Sequence, residues 1–422
     1  MKYFVFTLGC KVNTYESTAI ATTLEEKGYV FDENNPDVVV INTCSVTHVA
    51  DQKSRQHIRK FRKLYPNAVL VVMGCFAQSN KDYAEKELDI DILLGTSKRH
   101  LIPIFIEQFL KSKNRIVAVE DDPRTFFDYE ELNVTSCSEN IRAYLKVQDG
   151  CDNFCSYCLV PYIRGKSRSR NIYVCIEEAK QLVKKGYKEI VVSGIHVGYY
   201  GKDNGSSFSS LISALSDVKD LYRLRISSVE LSEIDDEFLS LLKNKNNIAK
   251  HLHLPLQSGS NNILKKMGRH YSREQFIKRV NEIKEVIPDI ALTTDVIVGF
   301  PGESEADFLD TYNLLKELGF YRLHVFPYSV RKGTKAASLP DQITPDVKAE
   351  RVKRLLDLSK ELQNEYEKRF IGTSLDVLFE KYDGQFNIGH TSNYIEVRQK
   401  NDVPEIGNVK NILIESSNIV KN

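Results

Sequence analysis

Short apolar runs alternate with amphipathic stretches over the first 120 residues of the 422-residue chain. The apolar runs are rich in β-branched residues and predict strands at residues 3–7, 38–42, 68–73 and 90–94. The stretches between them have helical spacing, at residues 14–27, 50–64 and 80–87. This alternation predicts an open α/β sheet with parallel strands.

A second alternating region begins at residue 141, after a polar linker over residues 111–140. Strands are predicted at residues 143–148, 190–193, 223–227, 251–256, 291–298 and 322–327, with helices between them. Six strand–helix units are too few for a complete eightfold barrel. The pattern changes again after a long amphipathic helix at residues 344–370. Short predicted strands at 374–380, 393–399 and 410–415 then indicate a small all-β unit.

Charge is nearly balanced along the chain, with 58 basic and 57 acidic side chains and a net charge of +1. Positive charge for a nucleic-acid partner must therefore be local rather than global. No apolar run reaches the length of a membrane span, and the first ten residues hold too few apolar residues for a secretion signal. We expect a cytoplasmic protein without a membrane partner, in which eight cysteines suggest metal ligation rather than disulfides.

Three cysteines, Cys151, Cys155 and Cys158, form the pattern CxxxCxxC just after the first strand of the second region. A structural zinc ion takes four protein ligands, and no fourth Cys or His follows at finger spacing. A [4Fe–4S] cluster held by three thiolates leaves one iron open to another ligand. The spacing favours such a cluster, with a zinc ion that borrows a distant ligand as the alternative.

Three other cysteines, Cys10, Cys44 and Cys75, each follow a predicted strand of the first region. The carboxyl ends of parallel strands line the ligand crevice of an open α/β sheet, so these thiols can converge there. The sequence therefore predicts a second three-thiolate site. The alternative is three ordinary buried cysteines, which is also how we interpret Cys175, while Cys137 is expected to be an unpaired thiol.

The cluster motif, with Tyr157 before its last cysteine, resembles the radical S-adenosylmethionine (SAM) superfamily. That resemblance implies a six-stranded partial barrel and a SAM molecule chelated by the open iron. Cys151, Cys155 and Cys158 are then the catalytic cluster ligands. Further SAM contacts are implied at the ends of the other barrel strands, namely Ser193, Gly194, Ser228, Glu230, Gln257 and Asp295.

The segments TLGCKVNTYES, INTCSVT and VVMGCFAQ resemble the amino-terminal domain of the methylthiotransferase family of radical SAM enzymes. The resemblance implies an auxiliary [4Fe–4S] cluster on Cys10, Cys44 and Cys75, and so two clusters in all. It also implies three domains: residues 1–120 around the auxiliary cluster, the radical SAM core at 138–368, and an RNA-binding TRAM-like barrel at 371–422. Lys11, Val12 and Asn13 match the subfamily that acts on threonylcarbamoyl-adenosine at position 37 of tRNA.

The family resemblance implies addition of a methylthio group to carbon 2 of that adenosine. Carbon 2 carries an aromatic C–H bond without an acid–base route, so a SAM-derived radical is required. The expected partners are the anticodon loop of tRNA and a reductant such as a flavodoxin or ferredoxin. Alternatives are isopentenyl-adenosine of tRNA or a ribosomal-protein aspartate as substrate, or a redox-sensing Fe–S protein that binds RNA without catalysis.

Several basic and aromatic residues are candidates for tRNA contact. A predicted helix concentrates Lys53, Arg55, Arg59, Lys60, Arg62 and Lys63, which otherwise form a solvated face. The cations after the cluster motif, Arg164, Lys166, Arg168 and Arg170, either hold phosphates or balance the cluster charge. The last fifty-two residues carry five basic and seven acidic side chains. RNA binding there must therefore rely on local geometry or on stacking, for which Tyr382, Phe386 and Tyr394 are candidates.

Overall fold

The computed structural model describes residues 1–134 and 141–421, and Cys137 lies outside this range. The amino-terminal part is a six-stranded parallel sheet with helices on both faces. Its strands are β1 (Lys2–Thr7), β2 (Val30–Phe31), β3 (Val38–Thr43), β4 (Val69–Gly74), β5 (Ile92–Leu94) and β6 (Ile116–Ala118). Its helices are α1 (Lys11–Glu26), α2 (His48–Leu64), α3 (Cys75–Ser79), α4 (Lys81–Glu87) and α5 (Ile102–Ser112).

The strand order of this sheet is β2-β1-β3-β4-β5-β6. Every residue of β3 and β4 is buried, as expected for central strands that are covered by helices on both faces. The strands that follow β1 are added on opposite sides of it, β2 on one side and β3 on the other, so the strand order changes direction there. Doubly wound sheets bind ligands at the carboxyl ends of strands at such a point. The crevice at this end of the sheet is therefore the expected ligand site.

The central part is a partial barrel of six parallel strands, each followed by a helical segment. The barrel strands are β7 (Arg142–Lys146), β10 (Glu189–Ser193), β11 (Arg223–Ile226), β12 (His251–His253), β13 (Ala291–Val298) and β14 (Arg322–Pro327). A short hairpin of β8 (Gln148–Asp149) and β9 (Arg168–Ser169) flanks the cluster loop. The helices are α6 (Val160–Arg164), α7 (Ile172–Lys184), α8 (Phe208–Ser216), α9 (Asp236–Asn244), α10 (Asn261–Met267), α11 (Arg273–Val286), α12 (Glu305–Leu318) and α13 (Pro345–Lys368).

Two three-stranded sheets make up this barrel, with orders β11-β10-β7 and β12-β13-β14. Isolated bridges at Leu224–Ile248 and Ser228–His253 join them. Within the described residues β7 and β14 do not pair, so the barrel is open on that side.

The carboxyl-terminal part is a four-stranded antiparallel sheet with order β17-β16-β15-β18. Its strands are β15 (Ser374–Tyr382), β16 (Phe386–Thr391), β17 (Glu396–Lys400) and β18 (Val409–Leu413). A further bridge between Val397 and Ile419 brings the chain end back onto β17. The sheet lies against the amino-terminal ends of the barrel strands, where Arg223 donates to the carbonyl of His390.

The predicted fold class is confirmed: an open α/β sheet, a six-stranded partial barrel and a small all-β unit. Sequence patterns did not predict the strands β2, β6 and β16, because these strands are short or mixed in polarity. Helix α5 was not predicted either. In the described ranges, no helix has both the length and the apolar character needed to cross a membrane.

Candidate functional site

The three cysteines of the amino-terminal sheet lie at the carboxyl ends of neighbouring strands. Cys10 follows β1, Cys44 follows β3 and Cys75 begins α3 directly after β4. Strand pairing places Thr7 beside Asn42 and Thr43 beside Gly74, so the three chain exits are adjacent. Their thiols interact electrostatically with one another. The predicted convergence at the reversal point of the sheet is therefore present.

Two buried asparagines hold these cysteine loops together. The side-chain amide of Asn13 donates to Asn42 Oδ1 at 3.0 Å and to the carbonyl of Thr43 at 3.2 Å. In return, Asn42 Nδ2 donates to the carbonyl of Asn13 at 3.0 Å. Asn13 thus has a structural role, and Val12 is also buried, so only Lys11 of this triplet is accessible.

Two of the cysteines are each preceded by a glycine, which lets the neighbouring cysteine loops approach each other closely. Gly74 has a φ of +99°, and a Cβ there would lie 2.5 Å from Asn42 Oδ1. Gly9 has a φ of +120°, and a Cβ there would lie 3.1 Å from Cys44 Cβ. Any larger residue would therefore strain the backbone and push the neighbouring cysteine loop away.

The cluster loop of the barrel is held by backbone hydrogen bonds to distant segments. Cys151 N donates to the carbonyl of Gly165 at 3.0 Å. Ser156 N donates to Met267 O, and Ser156 O accepts from Ala336 N, both at 2.8 Å. The loop is thus fixed between α10 and the segment after β14. Its three thiols also interact electrostatically with one another.

Charged side chains surround this loop. Arg269 Nη1 lies 3.5 Å from Cys155 Sγ, and Arg269 forms an ion pair with Glu230. His196 Nδ1 lies 3.7 Å from Cys151 Sγ, and the other ring nitrogen of His196 pairs with Glu233. A cation near Cys155 suits a thiolate-bound cluster because it offsets negative charge.

The spacing of the thiols distinguishes a cluster from a zinc ion. Tetrahedral zinc with Zn–S bonds near 2.3 Å brings its sulfurs within about 3.8 Å of one another. Among the described residues, neither cysteine triplet has all its sulfurs within 4.8 Å. A cubane carries its thiolates on separate irons, so it needs wider spacing. Neither described triplet is therefore arranged for a single zinc ion.

Burial affects the protonation of these thiols. It raises the pKa of Cys75 to about 11 and the pKa of Cys151 and of Cys158 to about 12. Protein without a cluster therefore keeps these groups as neutral thiols at pH 7. Ligation must release their protons, as metal binding to thiols does in general.

One cavity of about 240 Å³ lies between the two cysteine sites. Cys75 of the amino-terminal sheet and Cys158 of the barrel both line it. Tyr157, Phe326 and Tyr328 supply much of its apolar wall. One cysteine of each predicted site therefore lines the same cavity.

The predicted SAM contacts are only partly brought together. Gln257 and Asp295 line the cavity, and the backbone N–H of Gln257 donates to Asp295 O at 2.8 Å. Gln257 has a φ of +64°, a conformation found at functional sites more often than elsewhere. Glu230 lies beside the cluster loop through its ion pair with Arg269.

The remaining three predicted SAM contacts lie away from the cavity lining. Ser193 is buried, and its hydroxyl lies 3.3 Å from the carbonyl of Leu145. Gly194 packs against Gln148, and Ser228 bridges to His253 at the junction of the two barrel sheets. These three positions therefore have a visible structural role, and their contact with SAM stays a prediction.

Asp295 is also the centre of a small polar cluster in the barrel interior. Its carboxylate lies 3.2 Å from His253 Nε2 and 3.4 Å from His324 Nδ1. Burial raises the pKa of Asp295, but hydrogen bonds and charge from His253 and His324 outweigh this and hold it well below the ordinary value. Asp295 is therefore ionised at neutral pH.

A buried ionic network joins the amino-terminal sheet to the barrel. Glu16 of α1 accepts from Arg164 at 2.8 Å and from Lys146 at 2.9 Å. Asp149 binds the same two cations. Of the two roles considered for Arg164, Arg168 and Arg170, phosphate contact is excluded, because all three are buried and engaged. Of that group, Lys166 alone is exposed.

Two further candidates for tRNA contact also need correction. Arg62 is half-buried and pairs with Asp91 at 2.7 Å, whereas Lys53, Arg59, Lys60 and Lys63 remain exposed on α2. Tyr394 does not face solvent for stacking on a base. Its ring stacks on His251 with centroids 4.7 Å apart, and the guanidinium of Arg225 lies 4.7 Å from it.

Sequence reasoning missed Arg331 and Arg269. Arg331 follows β14 and reaches across to the amino-terminal sheet, where it pairs with Asp51 at 2.7 Å and donates to Ser45 Oγ at 2.9 Å. Neither arginine belongs to a recognised motif, and their partners are far away in sequence. Only the three-dimensional fold reveals them.

Family models match both halves of the site. Residues 2–95 match the uncharacterized protein family UPF0004, and residues 145–315 match the radical SAM superfamily. The first match contains Cys10, Cys44 and Cys75, and the second contains Cys151, Cys155 and Cys158.

Curated relatives cover nearly the whole chain. The threonylcarbamoyladenosine tRNA methylthiotransferase MtaB of Bacillus subtilis is 43% identical over 97% of this chain and 92% of its own. Its counterpart in Thermotoga maritima is 39% identical over 89% and 86%. A tRNA-2-methylthio-N(6)-dimethylallyladenosine synthase of Thermoanaerobacter is 36% identical over 98% and 90%.

A solved structure shares the fold at low sequence identity. The radical SAM methyltransferase TsrM of Kitasatospora setae has a TM-score of 0.60 and 15% identity, over 80% of this chain and 77% of its own. At this identity the likeness concerns the fold alone.

Proposed function

The chain belongs to the radical SAM tRNA methylthiotransferase family, and we propose that it adds a methylthio group to carbon 2 of threonylcarbamoyl-adenosine at position 37 of tRNA. The curated relatives of highest identity among those compared carry that activity in their names. The observation that supports this reaction best is the shared cavity, which both Cys75 and Cys158 line. A reaction that joins sulfur to a radical-activated carbon needs both sites at one substrate.

Cys151, Cys155 and Cys158 would hold the [4Fe–4S] cluster that binds SAM. With SAM bound, this cluster supplies the one-electron chemistry that an unactivated aromatic C–H bond requires. The protein fixes the loop through Ser156 and places the guanidinium of Arg269 beside Cys155. Gln257 and Asp295 offer polar contacts to a ligand in the cavity.

Cys10, Cys44 and Cys75 would hold a second [4Fe–4S] cluster, which supplies the sulfur. The interlocked asparagines Asn13 and Asn42 fix these three loops against one another. Arg164 lies close enough to Cys75 for their charges to interact, so its guanidinium favours an anionic thiolate there. The domain assignment follows from these roles: residues 1–120 for the second cluster, 138–368 for radical generation and 371–422 for RNA binding.

The tRNA partner would present its anticodon loop, because a base there can leave its stack and enter a cavity. The cavity between the two cysteine sites suits a single splayed base. A reduced flavodoxin or ferredoxin would supply the electron. Since the substrate is tRNA, we propose that the enzyme acts in the cytoplasm.

The test is an anaerobic reaction of the reconstituted protein with SAM, dithionite and tRNA of defined modification. Three otherwise identical tRNAs carry adenosine, isopentenyl-adenosine or threonylcarbamoyl-adenosine at position 37. Mass spectrometry of nucleosides should find the methylthio product only with threonylcarbamoyl-adenosine. A product from isopentenyl-adenosine would assign the other substrate class. Absence of 5′-deoxyadenosine in all three reactions would contradict a radical SAM enzyme and favour a redox-sensing protein.

A further inference from the structure

Three side chains of neighbouring barrel strands converge beside the reaction cavity. His253 ends β12, Asp295 lies in β13 and His324 lies in β14. These strands are adjacent, and their pairing places His253 beside Thr293 and Asp295 beside His324. Because alternate residues of a strand share one face, Thr293 and Asp295 point to the same side of the sheet. The register of the three strands therefore brings His253, Asp295 and His324 together.

The separations of these three groups suit a single bound ion. Asp295 Oδ2 lies 3.2 Å from His253 Nε2, and Asp295 Oδ1 lies 3.4 Å from His324 Nδ1. Metal–ligand bonds of about 2.0–2.2 Å in a tetrahedral arrangement separate the ligand atoms by about 3.3–3.6 Å. One ligand atom from each residue lies within 4.8 Å of the other two. Among the described residues, this is the one group of three His, Cys, Asp or Glu side chains with that spacing.

A hydrogen bond on the far side of the His253 ring directs its ligating nitrogen. His253 Nδ1 lies 2.9 Å from Thr293 Oγ1, which also lies 3.1 Å from His251 Nε2. Histidines that bind metals usually hydrogen-bond through the second ring nitrogen, because this bond fixes the tautomer and the orientation of the ring. Thr293 therefore leaves Nε2 of His253 to face Asp295. The rings of His253 and His324 have centroids 5.2 Å apart, so both can reach one ion.

The three side chains are accessible from the reaction cavity. Asp295 lines that cavity. The side chains of His253, Asp295 and His324 are 13%, 30% and 52% exposed, so an ion can enter without unfolding of the barrel. Three protein ligands leave at least one coordination position for water or another ligand, whereas a structural zinc site is closed by four. The arrangement therefore has the features of a reactive metal site rather than a structural one.

We propose that His253, Asp295 and His324 bind one divalent transition metal ion at the wall of the reaction cavity. Two imidazoles and one carboxylate are ligands that suit Zn²⁺ and Fe²⁺, whereas Mg²⁺ and Ca²⁺ prefer oxygen ligands alone. This ion is distinct from the clusters proposed on the two cysteine sets, and the inference does not depend on the tRNA substrate. The open position of the ion takes water, or an oxygen or nitrogen atom of a ligand in the cavity.

The test uses Zn²⁺ as the probe, because iron in the clusters would mask iron at this site. Anaerobically reconstituted holoenzyme is freed of loosely bound metal with a chelator and is then dialysed against buffered Zn²⁺. Zinc and iron are counted together by mass spectrometry of the elements. We expect one tightly bound zinc per chain, without loss of iron. Zinc K-edge X-ray absorption of the same sample should show nitrogen or oxygen neighbours at about 2.0–2.2 Å and no sulfur near 2.3 Å.

Variants of single residues locate the zinc. His253→Gln and His324→Gln each remove a ligand, whereas Thr293→Val removes only the hydrogen bond that orients His253. Thr293→Val should weaken zinc binding by about 10- to 100-fold, and loss of either histidine should weaken it further. His100→Gln is the matched control, because His100 is an exposed histidine that pairs with a single carboxylate, that of Glu130. This control should bind zinc as the unchanged protein does, and iron content should be equal in all variants.

Three results would overturn the inference. The first is the absence of tightly bound zinc from the unchanged holoenzyme. The second is a sulfur shell in the absorption spectrum, which would place the zinc on cysteines. The third is an equal zinc affinity of the two histidine variants and the His100→Gln control. Because the absorption spectrum is recorded on the unchanged protein, it decides the question even if a variant fails to fold. A failure of the methylthio reaction would count against the proposed function and not against this metal site.

Discussion

Glu16 of the amino-terminal sheet and Arg164 of the barrel form a buried two-point ion pair. Arg164 Nη1 lies 2.8 Å from Glu16 Oε1, and Nη2 lies 3.2 Å from Oε2. Both side chains are at most 2% exposed. Since Arg164 ends the helix after the cluster loop and Glu16 lies in the helix after Cys10, the pair fixes the two cysteine sites relative to each other.

Removing one partner of this pair should destabilise the protein strongly. We expect Glu16→Gln to lower the free energy of unfolding by about 3–5 kcal/mol, because it leaves Arg164, Arg99 and Lys146 short of a buried anion. Urea unfolding followed by circular dichroism measures this. Glu177→Gln, which removes an exposed pair with Lys180, is the matched control and should leave the midpoint unchanged. Equal midpoints for both variants would contradict a structural role of the network.

The same network predicts how stability depends on pH. Burial alone would raise the pKa of Glu130, but the charge of Arg99 and hydrogen bonds from His100 and Arg99 outweigh it and lower the pKa to about 2. A depressed carboxyl pKa adds stability above its ordinary value near 4.5, and this is lost as pH falls toward 2. The urea concentration at the midpoint of unfolding should therefore differ less between the unchanged protein and Glu130→Gln at pH 3 than at pH 6. A constant difference would show that the charge of Glu130 is not responsible.

The exposed basic face of α2 should contribute to tRNA binding. Replacing Lys53, Arg59, Lys60 and Lys63 with Ala should weaken binding and reduce the slope of log affinity against log salt by about 0.7–0.9 for each phosphate that the variant no longer neutralises. Lys184 and Lys185, exposed at the end of α7 away from the cavity, provide the control pair. If the α2 variant and the Lys184 and Lys185 control variant bind tRNA with equal affinity, the basic face of α2 is only a solvated surface.

Arg331 should matter for coupling the two sites rather than for radical formation. It pairs with Asp51 and Ser45 across the cavity, so Arg331→Met should let the amino-terminal sheet shift relative to the barrel. We expect the methylthio product to fall by about 10- to 100-fold, as for a small misplacement of reacting groups, while tRNA-free SAM cleavage persists. Arg354→Met, which removes a partly exposed pair with Glu305, should change neither. An equal loss of the methylthio product and of tRNA-free SAM cleavage in Arg331→Met would contradict this coupling role.

Local patterns predicted the cysteine sites well because their chemistry is local. Cys151, Cys155 and Cys158 lie within one loop, and Cys10, Cys44 and Cys75 follow strands that the apolar runs mark clearly. Strand ends on a parallel sheet share one edge, so their convergence follows from topology.

Charge partners could not be predicted in the same way. Arg164 and Tyr394 look like surface groups in sequence, yet Arg164 is buried against Glu16, 148 residues away, and Tyr394 is stacked on His251 of the barrel. Such contacts depend on how separate sheets dock, which no local pattern encodes.

The division of labour between the two cysteine sites gives the most direct test. The measurement is one anaerobic reaction with SAM, dithionite and tRNA carrying threonylcarbamoyl-adenosine, analysed by mass spectrometry for 5′-deoxyadenosine and for methylthiolated nucleoside. Cys44→Ala should still form 5′-deoxyadenosine but no methylthiolated nucleoside, whereas Cys155→Ala should form neither. The unchanged protein should hold about eight irons if both sites carry a [4Fe–4S] cluster. Methylthiolated product from Cys44→Ala at the unchanged rate would contradict the account, because the strand-end cysteines would then not be an essential sulfur site.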